Sequence, residues 1–321
     1  MITRGWGRVA AVTVRDLVRR SRRDLLLAAG VMAWIGVVLW LDRSGPMLEQ
    51  VALGVLTWGV LIALLRRETP LVRAQTGVVV VLATMVEYTF SPLLEAYTYR
   101  LETVPAYVPP GHGLVYLAAL ALGRSELFQQ WSRPLVAATV VVGGAWAVHG
   151  VTLAERHDAL GAFWFACLLG FLAWGRSRTL YVGAFLVVSW LELVGTAWGT
   201  WQWAERDPVL GVVTQGNPPS GAAGGYGWFD LWAILLAPSV LSWWSTVLSW
   251  WSTLRTSSWR CPFVARALPP KGPGTPSSEV NRPPASVTTG TSAAMSCTSS
   301  WGSQAMSTAP SASSAYDQKS P

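Results

Sequence analysis

Two glutamates fall where the chain is otherwise apolar: Glu87, near the end of a run from Thr76, and Glu192, near the end of a run from Thr179. Ionisable side chains are costly inside such runs and are functional candidates for that reason. Buried carboxyl groups are the usual material of proton donors and relays. Each is followed by paired aromatics, Tyr97 and Tyr99 after the first, Trp201 and Trp203 after the second. Rings with an apolar body and a polar tip suit the wall of a lipid-binding groove. His112 follows Pro109-Pro110-Gly111, His149 ends another apolar run, and Asn217 precedes Pro218-Pro219. We expect Glu87, Glu192 and His112 to be the acid–base groups. Tyr97, Tyr99, His149, Trp201, Trp203 and Asn217 are the expected substrate contacts, and Glu87, Tyr97, Tyr99 and His112 are expected to face Glu192, Trp201, Trp203 and Asn217 across one external cavity. Histidine and carboxylate together also suit a metal, but no HExxH-like spacing joins them, and no metal centre is expected. The competing expectation is that each Glu only fixes helix packing, by bonding a Tyr, a Trp or the backbone.

The elements that must position these residues are membrane spans. The 321 residues are 51% hydrophobic and 13% charged, about half the usual charge of a soluble domain. The apolar residues come in blocks, which read as transmembrane helices. Twenty Trp fit residence at membrane interfaces. The net charge of +7 comes with no basic–aromatic module, so nucleic acid is not an expected partner. Eight spans are expected: 25–41, 47–65, 76–93, 111–130, 135–154, 159–174, 179–198 and about 226–246. The fourth is the weakest, because its strictly apolar part ends at Leu122; a helix continued through Phe128 would complete it, and a re-entrant half-helix is the alternative.

Charge sets the orientation. Arg4, Arg8, Arg15, Arg19, Arg20, Arg22 and Arg23 precede the first span, and Trp-Leu-Asp-Arg after it offers no signal-peptide cleavage site. Arg66, Arg67, Arg73, Arg124, Arg133, Arg176 and Arg178 fall on the same side as that segment, against Arg43, Arg100, Arg156 and Arg206 on the other. Positive residues mark the cytoplasmic side. The expected architecture is an all-α, polytopic bundle in the cell membrane with both termini cytoplasmic.

The order Glu, aromatic pair, charged loop, double proline, glycine and new span occurs twice. This suggests two parallel four-helix halves, 25–130 and 135–250, related by an axis along the membrane normal. Residues 1–24 are the expected basic cytoplasmic segment, 25–254 the transmembrane domain, and 255–321 a disordered, Ser/Thr/Pro-rich tail. A seven-residue repeat, Ser242–Leu248 then Ser249–Arg255, is either an interfacial Trp belt or a duplication without a structural role. Cys167, Cys261 and Cys297 have no metal or redox spacing, and no disulfide framework is expected.

Gly195 and Gly199 form a GxxxG expected to let helices approach. Gly221 and Gly225 form another, expected to shape a loop dipping toward the site. No P-loop, Rossmann fingerprint or GxSxG occurs, so no cofactor is named by motif. The order Glu192, Gly195, Gly199, Trp201, Trp203 resembles the Glu–Gly–Gly–aromatic–x–aromatic pattern of the hydratase-type membrane proteins of carotenoid biosynthesis. Glu87, Tyr97, Tyr99 and Val104-Pro105 echo it, with Ser91-Pro92 in place of the glycines. The resemblance covers about a sixth of the chain. It implies a multi-pass membrane protein acting on long isoprenoids. Three functions stay open at this point: a membrane-embedded enzyme on a lipid or isoprenoid, a proton-coupled transporter, and an assembly protein without catalysis.

Overall fold

A computed structural model describes residues 14–257. Among the described residues nine helices and two short strands follow one another: α1 (Val14–Asp42), α2 (Met47–Leu65), α3 (Pro70–Tyr88), a π-helical turn (Thr89–Leu93), β1 (Tyr97–Tyr99), α4 (Val108–Arg124), α5 (Glu126–Gln130), α6 (Ser132–Thr152), α7 (Ala159–Trp174), α8 (Arg178–Ala197), β2 (Trp201–Trp203) and α9 (Ala222–Ser257). The expected tail starts at 255, but 255–257 still belong to α9; the tail's remainder from 258, with Arg4, Arg8, Cys261 and Cys297, lies outside the described residues.

Among the described residues five helices are long and apolar enough to cross a membrane: Leu17–Asp42 of α1, α2, Pro70–Leu93, α6 and α8. Their outward faces carry large apolar side chains such as Leu48, Val55, Met85, Val141 and Leu193, all exposed. Such a face suits hydrocarbon and is unfavourable in water. α7 is apolar but shorter. The remaining two expected spans fall in α4 and α9.

The core sits around α4 and α8. α4 packs against α1, α2, α3 and α8, and twelve of its seventeen residues are buried. A protein-lined helix need not match the bilayer, and α4 is only ~26 Å long. Backbones come close where side chains are small. A Cβ on Gly123 would meet the Leu180 backbone at 2.8 Å, and one on Gly183 would meet the Ala119 carbonyl at 2.5 Å. The expected helix through Phe128 is not formed. Ser125 turns to an extended ψ of 142° and its hydroxyl accepts from the Phe128 N–H, capping α5 instead. A serine cap competes locally with helix continuation, so the fourth segment breaks there.

α9 continues without a break through the seven-residue repeat, with Trp243, Trp244 and Trp250 exposed. The glycines near its start pack rather than loop: a Cβ on Gly221 would run into the Gly161 carbonyl and Phe165 N–H of α7, and one on Gly224 into the Trp164 carbonyl. The loop expected from Gly221 and Gly225 is therefore the α7–α9 crossing.

One ionic clamp ties α1, the α2–α3 turn and α4. The Arg124 guanidinium donates to both Glu68 carboxylate oxygens at 2.8 Å and, through Nε, to Asp24 at 2.9 Å. Glu68 lies in the turn, and its side chain is only 4% exposed. The Arg124 hydrogen bonds hold its carboxyl below the ordinary value of 4.5, against burial that pushes it up. A depressed carboxyl stabilises the fold above its unfolded pKa, and that contribution fades as pH falls through the lower folded value. Thermal unfolding in detergent should therefore lose stability as the buffer drops below about pH 4.5, and Glu68→Gln should remove part of that loss. Parallel losses in wild type and variant would contradict this role.

Candidate functional site

The two strands that join α3 to α4 and α8 to α9 pair with each other. β1 and β2 run antiparallel, with Tyr97 opposite Trp203, Thr98 opposite Gln202 and Tyr99 opposite Trp201. The flanking bonds Ala204 N–H to the Ala96 carbonyl and Arg100 N–H to the Thr200 carbonyl fix the register. Antiparallel alternation then makes the two aromatic pairs non-hydrogen-bonded pairs, where side chains approach most closely. Tyr97 and Trp203 ring centroids stand 4.7 Å apart, and Tyr99 and Trp201 6.3 Å. All four rings turn to one face of the ribbon, while Thr98 and Gln202 point outward and are exposed.

Each strand returns its rings to the glutamate before it. After α3 the π-helical turn, with Pro92 inside it, redirects the chain. Tyr97 and Tyr99 then donate their hydroxyls to Oε2 of Glu87 at 2.8 and 2.7 Å. Nε2 of His112, at the start of α4, meets Oε1 of the same carboxylate at 2.8 Å. Burial first, then the Glu87 charge, pushes both phenols above their ordinary pKa, so they stay protonated donors.

α8 ends differently. Gly199 takes a φ of +69°, its N–H bonds to the Thr196 carbonyl and the Thr200 N–H bonds to the Gly195 carbonyl. This is a Schellman stop, which favours glycine at the left-handed position. The chain turns back so that the Trp201 ring lies against Gly195, where any Cβ would overlap it. Trp201 and Trp203 both donate their indole N–H to Oε2 of Glu192, at 3.1 and 3.0 Å. The GxxxG expected to bring helices together instead makes room for an indole and turns the chain.

Glu87, Glu192, His112, Tyr97, Tyr99, Trp201 and Trp203 all line one cavity of about 670 Å³. Most of its wall is apolar, with Trp34, Phe90, Phe163, Trp164, Tyr226 and Phe229 adding rings. Two expected contacts do not line it. His149 is exposed on α6, because that helix buries Gly143, Ala147 and Gly150 and the histidine falls off that stripe. Asn217 stands behind the ribbon, its Oδ1 accepting from the Trp203 N–H at 3.1 Å. Among the described residues no group of His, Cys, Asp or Glu is gathered as metal ligands would be.

Sequence reading missed the groups that hold the ribbon in place. Gln215, fully buried, lines the cavity and donates its Nε2 to the Ala96 carbonyl at 2.9 Å. Arg156 donates to the carbonyls of Trp203, Ala204 and Gln215. Burial pulls its pKa down against the charges of Glu205 and Asp158. Asp158 caps α7 through Gly161 and accepts from the N–H groups of Gly216 and Ser220 at 2.7 Å. At the other end Tyr107 donates to Asp42 at 2.8 Å, while Gln50 and Arg100 bond the other oxygen of that buried carboxylate. Gln215, Arg156, Arg100 and Tyr107 are loop residues whose partners lie dozens of positions away, so no local spacing marks them.

The two carboxylates differ in what they leave free. Both Glu87 oxygens are occupied. On Glu192 the indoles share Oε2, and Oε1 accepts nothing among the described residues. An indole N–H donates and never accepts, so Oε1 is the oxygen able to give or take a proton in the cavity.

No family model matches this chain, and searches of curated proteins and of solved structures find no similar protein.

Two outcomes test this geometry. Gly195→Ala should destabilise the fold by ~1–3 kcal/mol, the usual range for overpacking, since the Trp201 ring must shift; a change below ~0.5 kcal/mol, within the range of surface substitutions, would contradict the close contact. Tyr97→Phe should cost about 1–2 kcal/mol by removing one donor from a buried carboxylate, and an unchanged unfolding midpoint would count against the bond.

Proposed function

We propose that this chain is an eight-span protein of the cell membrane, with both termini cytoplasmic, that transfers protons to and from the apolar chain of a lipid or isoprenoid. Glu192 is the proton donor, and the Glu87–His112 pair opposite is the second acid–base group. The observation that carries this reading is a carboxylate with one free oxygen inside an aromatic-walled, otherwise apolar cavity. A polar substrate would find few partners there. An alkene needs few: protonation generates a carbocation, and the faces of Tyr and Trp rings stabilise cationic charge. No metal or cofactor is required for such a step.

The spans and orientation draw support from the helices long enough to cross and from the side on which arginines cluster. A repeat of two halves draws support from the equivalent orders α3–β1–α4 and α8–β2–α9. An axis along the membrane normal would bring their strands together antiparallel, as they pair here. The likeness to hydratase-type carotenoid proteins gains a physical sense in this setting. Glu–Gly–Gly–aromatic–x–aromatic is the spacing needed to stop a helix and return two rings to its own carboxylate.

The reading is tested with the full chain in lipid nanodiscs, given an acyclic polyisoprenoid hydrocarbon in heavy water. Mass spectrometry should find carbon-bound deuterium in the hydrocarbon with wild type, and a loss of ~100-fold or more with Glu192→Gln, the scale of one general acid. No incorporation by wild type, or incorporation unchanged in the variant, would sink the proposal. Proton uptake into vesicles without chemistry would instead support a transporter using the same carboxylates.

A further inference from the structure

Among the described residues six buried side-chain polar atoms have no hydrogen-bond partner, and three of them, Nδ1 of His112, the hydroxyl of Tyr116 and Oδ2 of Asp230, belong to α4 and α9. Their residues are 6%, 2% and 4% exposed, so solvent does not satisfy them from outside. They are not scattered. His112 and Tyr116 stand one helical turn apart on α4, and Tyr226 and Asp230 stand one turn apart on α9. The imidazole of His112 stacks on the Tyr226 ring at 5.2 Å, so side chains of α4 and α9 meet there. One turn deeper, Tyr116 belongs to the same packed cluster as Ala233, the residue three after Asp230. Asp230 stands near both Tyr116 of α4 and Tyr181 of α8. No positive group among the described residues is paired with it.

Unpaired buried polar atoms normally cost ~1–3 kcal/mol each. Three such atoms on two helices whose side chains meet would be a large penalty without a use. Buried waters commonly answer such groups where several polar atoms converge.

We propose that His112, Tyr116 and Asp230 enclose an internal, water-holding polar chamber through which the Glu87–His112 pair exchanges protons with Asp230. In the neutral tautomer that donates Nε2–H to Glu87, Nδ1 of His112 carries a lone pair. A proton leaves the Asp230 carboxylic acid and passes to the Tyr116 hydroxyl or a water, which delivers another to Nδ1. Asp230 becomes a carboxylate, and His112 becomes an imidazolium beside Glu87. The reverse transfer restores both, with no change in oxidation state. Asp230 is thus a proton reservoir set one turn behind the cavity, and Tyr116 is the positioning residue that links it. This goes beyond the proposed reaction, because it needs only the Glu87–His112 contact and no particular substrate.

Infrared spectroscopy of the full chain in lipid nanodiscs tests this directly. A protonated carboxyl C=O band should be present, should vanish in Asp230→Asn, and should shift on transfer to heavy water. In Tyr116→Phe, which keeps the ring and removes only the hydroxyl, that shift should be at least tenfold slower. Should Asp230→Asn fail to fold, carboxyl-labelled aspartate in wild type and in Tyr116→Phe identifies the band by its isotope shift. A band absent from wild type, or exchange equally fast in Tyr116→Phe, would overturn the proposal. Both outcomes are independent of whether any hydrocarbon is turned over.

Discussion

A carboxylate cannot stay in an apolar bundle without donors, and two of them stand at the ends of α3 and α8. Leaving a buried charge unpaired costs several kcal/mol, more than most single contacts contribute. The chain meets this constraint with local loops. Each glutamate takes its donors from aromatics nine to twelve residues further on, the interval needed to stop a helix, reverse and run a three-residue strand. Because both returning segments are extended, they pair, and the pairing brings the two carboxylates to a common cavity. The site is thus a consequence of satisfying each glutamate, joined by one small ribbon.

So short a ribbon would not hold its own register, since isolated two-stranded pairings are marginal in water. Here it is clamped at both ends. Arg156 and Gln215 bind the carbonyls at one end, and the Arg100–Asp42–Tyr107 group anchors the other to α1. The Asp158 carboxylate holds the loop that Gln215 belongs to. Clamping fixes the four rings, and fixed rings keep Oε1 of Glu192 open to the cavity, whereas on Glu87 the two tyrosines occupy Oε2 and His112 meets Oε1. A difference in hydrogen bonding between two otherwise similar carboxylates is the usual basis for giving them different chemical roles.

Some of this was legible in the residues and some was not. The α2 and α7 bounds coincide with the expected spans, because apolar runs there end abruptly at charge, proline or glycine. The fourth span misled because a single serine prefers capping to continuation, a choice that hydropathy does not register. Gly195 and Gly199 were visible as a pair, but their purpose depends on where the Trp201 ring lands, and that is a tertiary fact. His149 looked equivalent to His112 by composition and depth. Only the phase of α6, set by its small residues, turns it away. Gln215 and Arg156 gave no signal, since their partners are remote backbone groups, and the local cap that Asp158 makes on Gly161 does not reveal its bonds to Gly216 and Ser220. Polar residues with remote partners are the part of a site that one sequence conceals.

The account stands on the pairing of β1 with β2, which is what makes one site from two glutamates. It is tested most directly by placing cysteines at Thr98 and Gln202, directly opposed and pointing away from the cavity, in a chain whose native cysteines are replaced. Mild oxidation in the membrane should cross-link the Thr98→Cys/Gln202→Cys pair efficiently, and the shifted pair Thr98→Cys/Arg206→Cys should stay open. Failure of the opposed pair to cross-link while each single cysteine is labelled from solution would contradict the shared cavity.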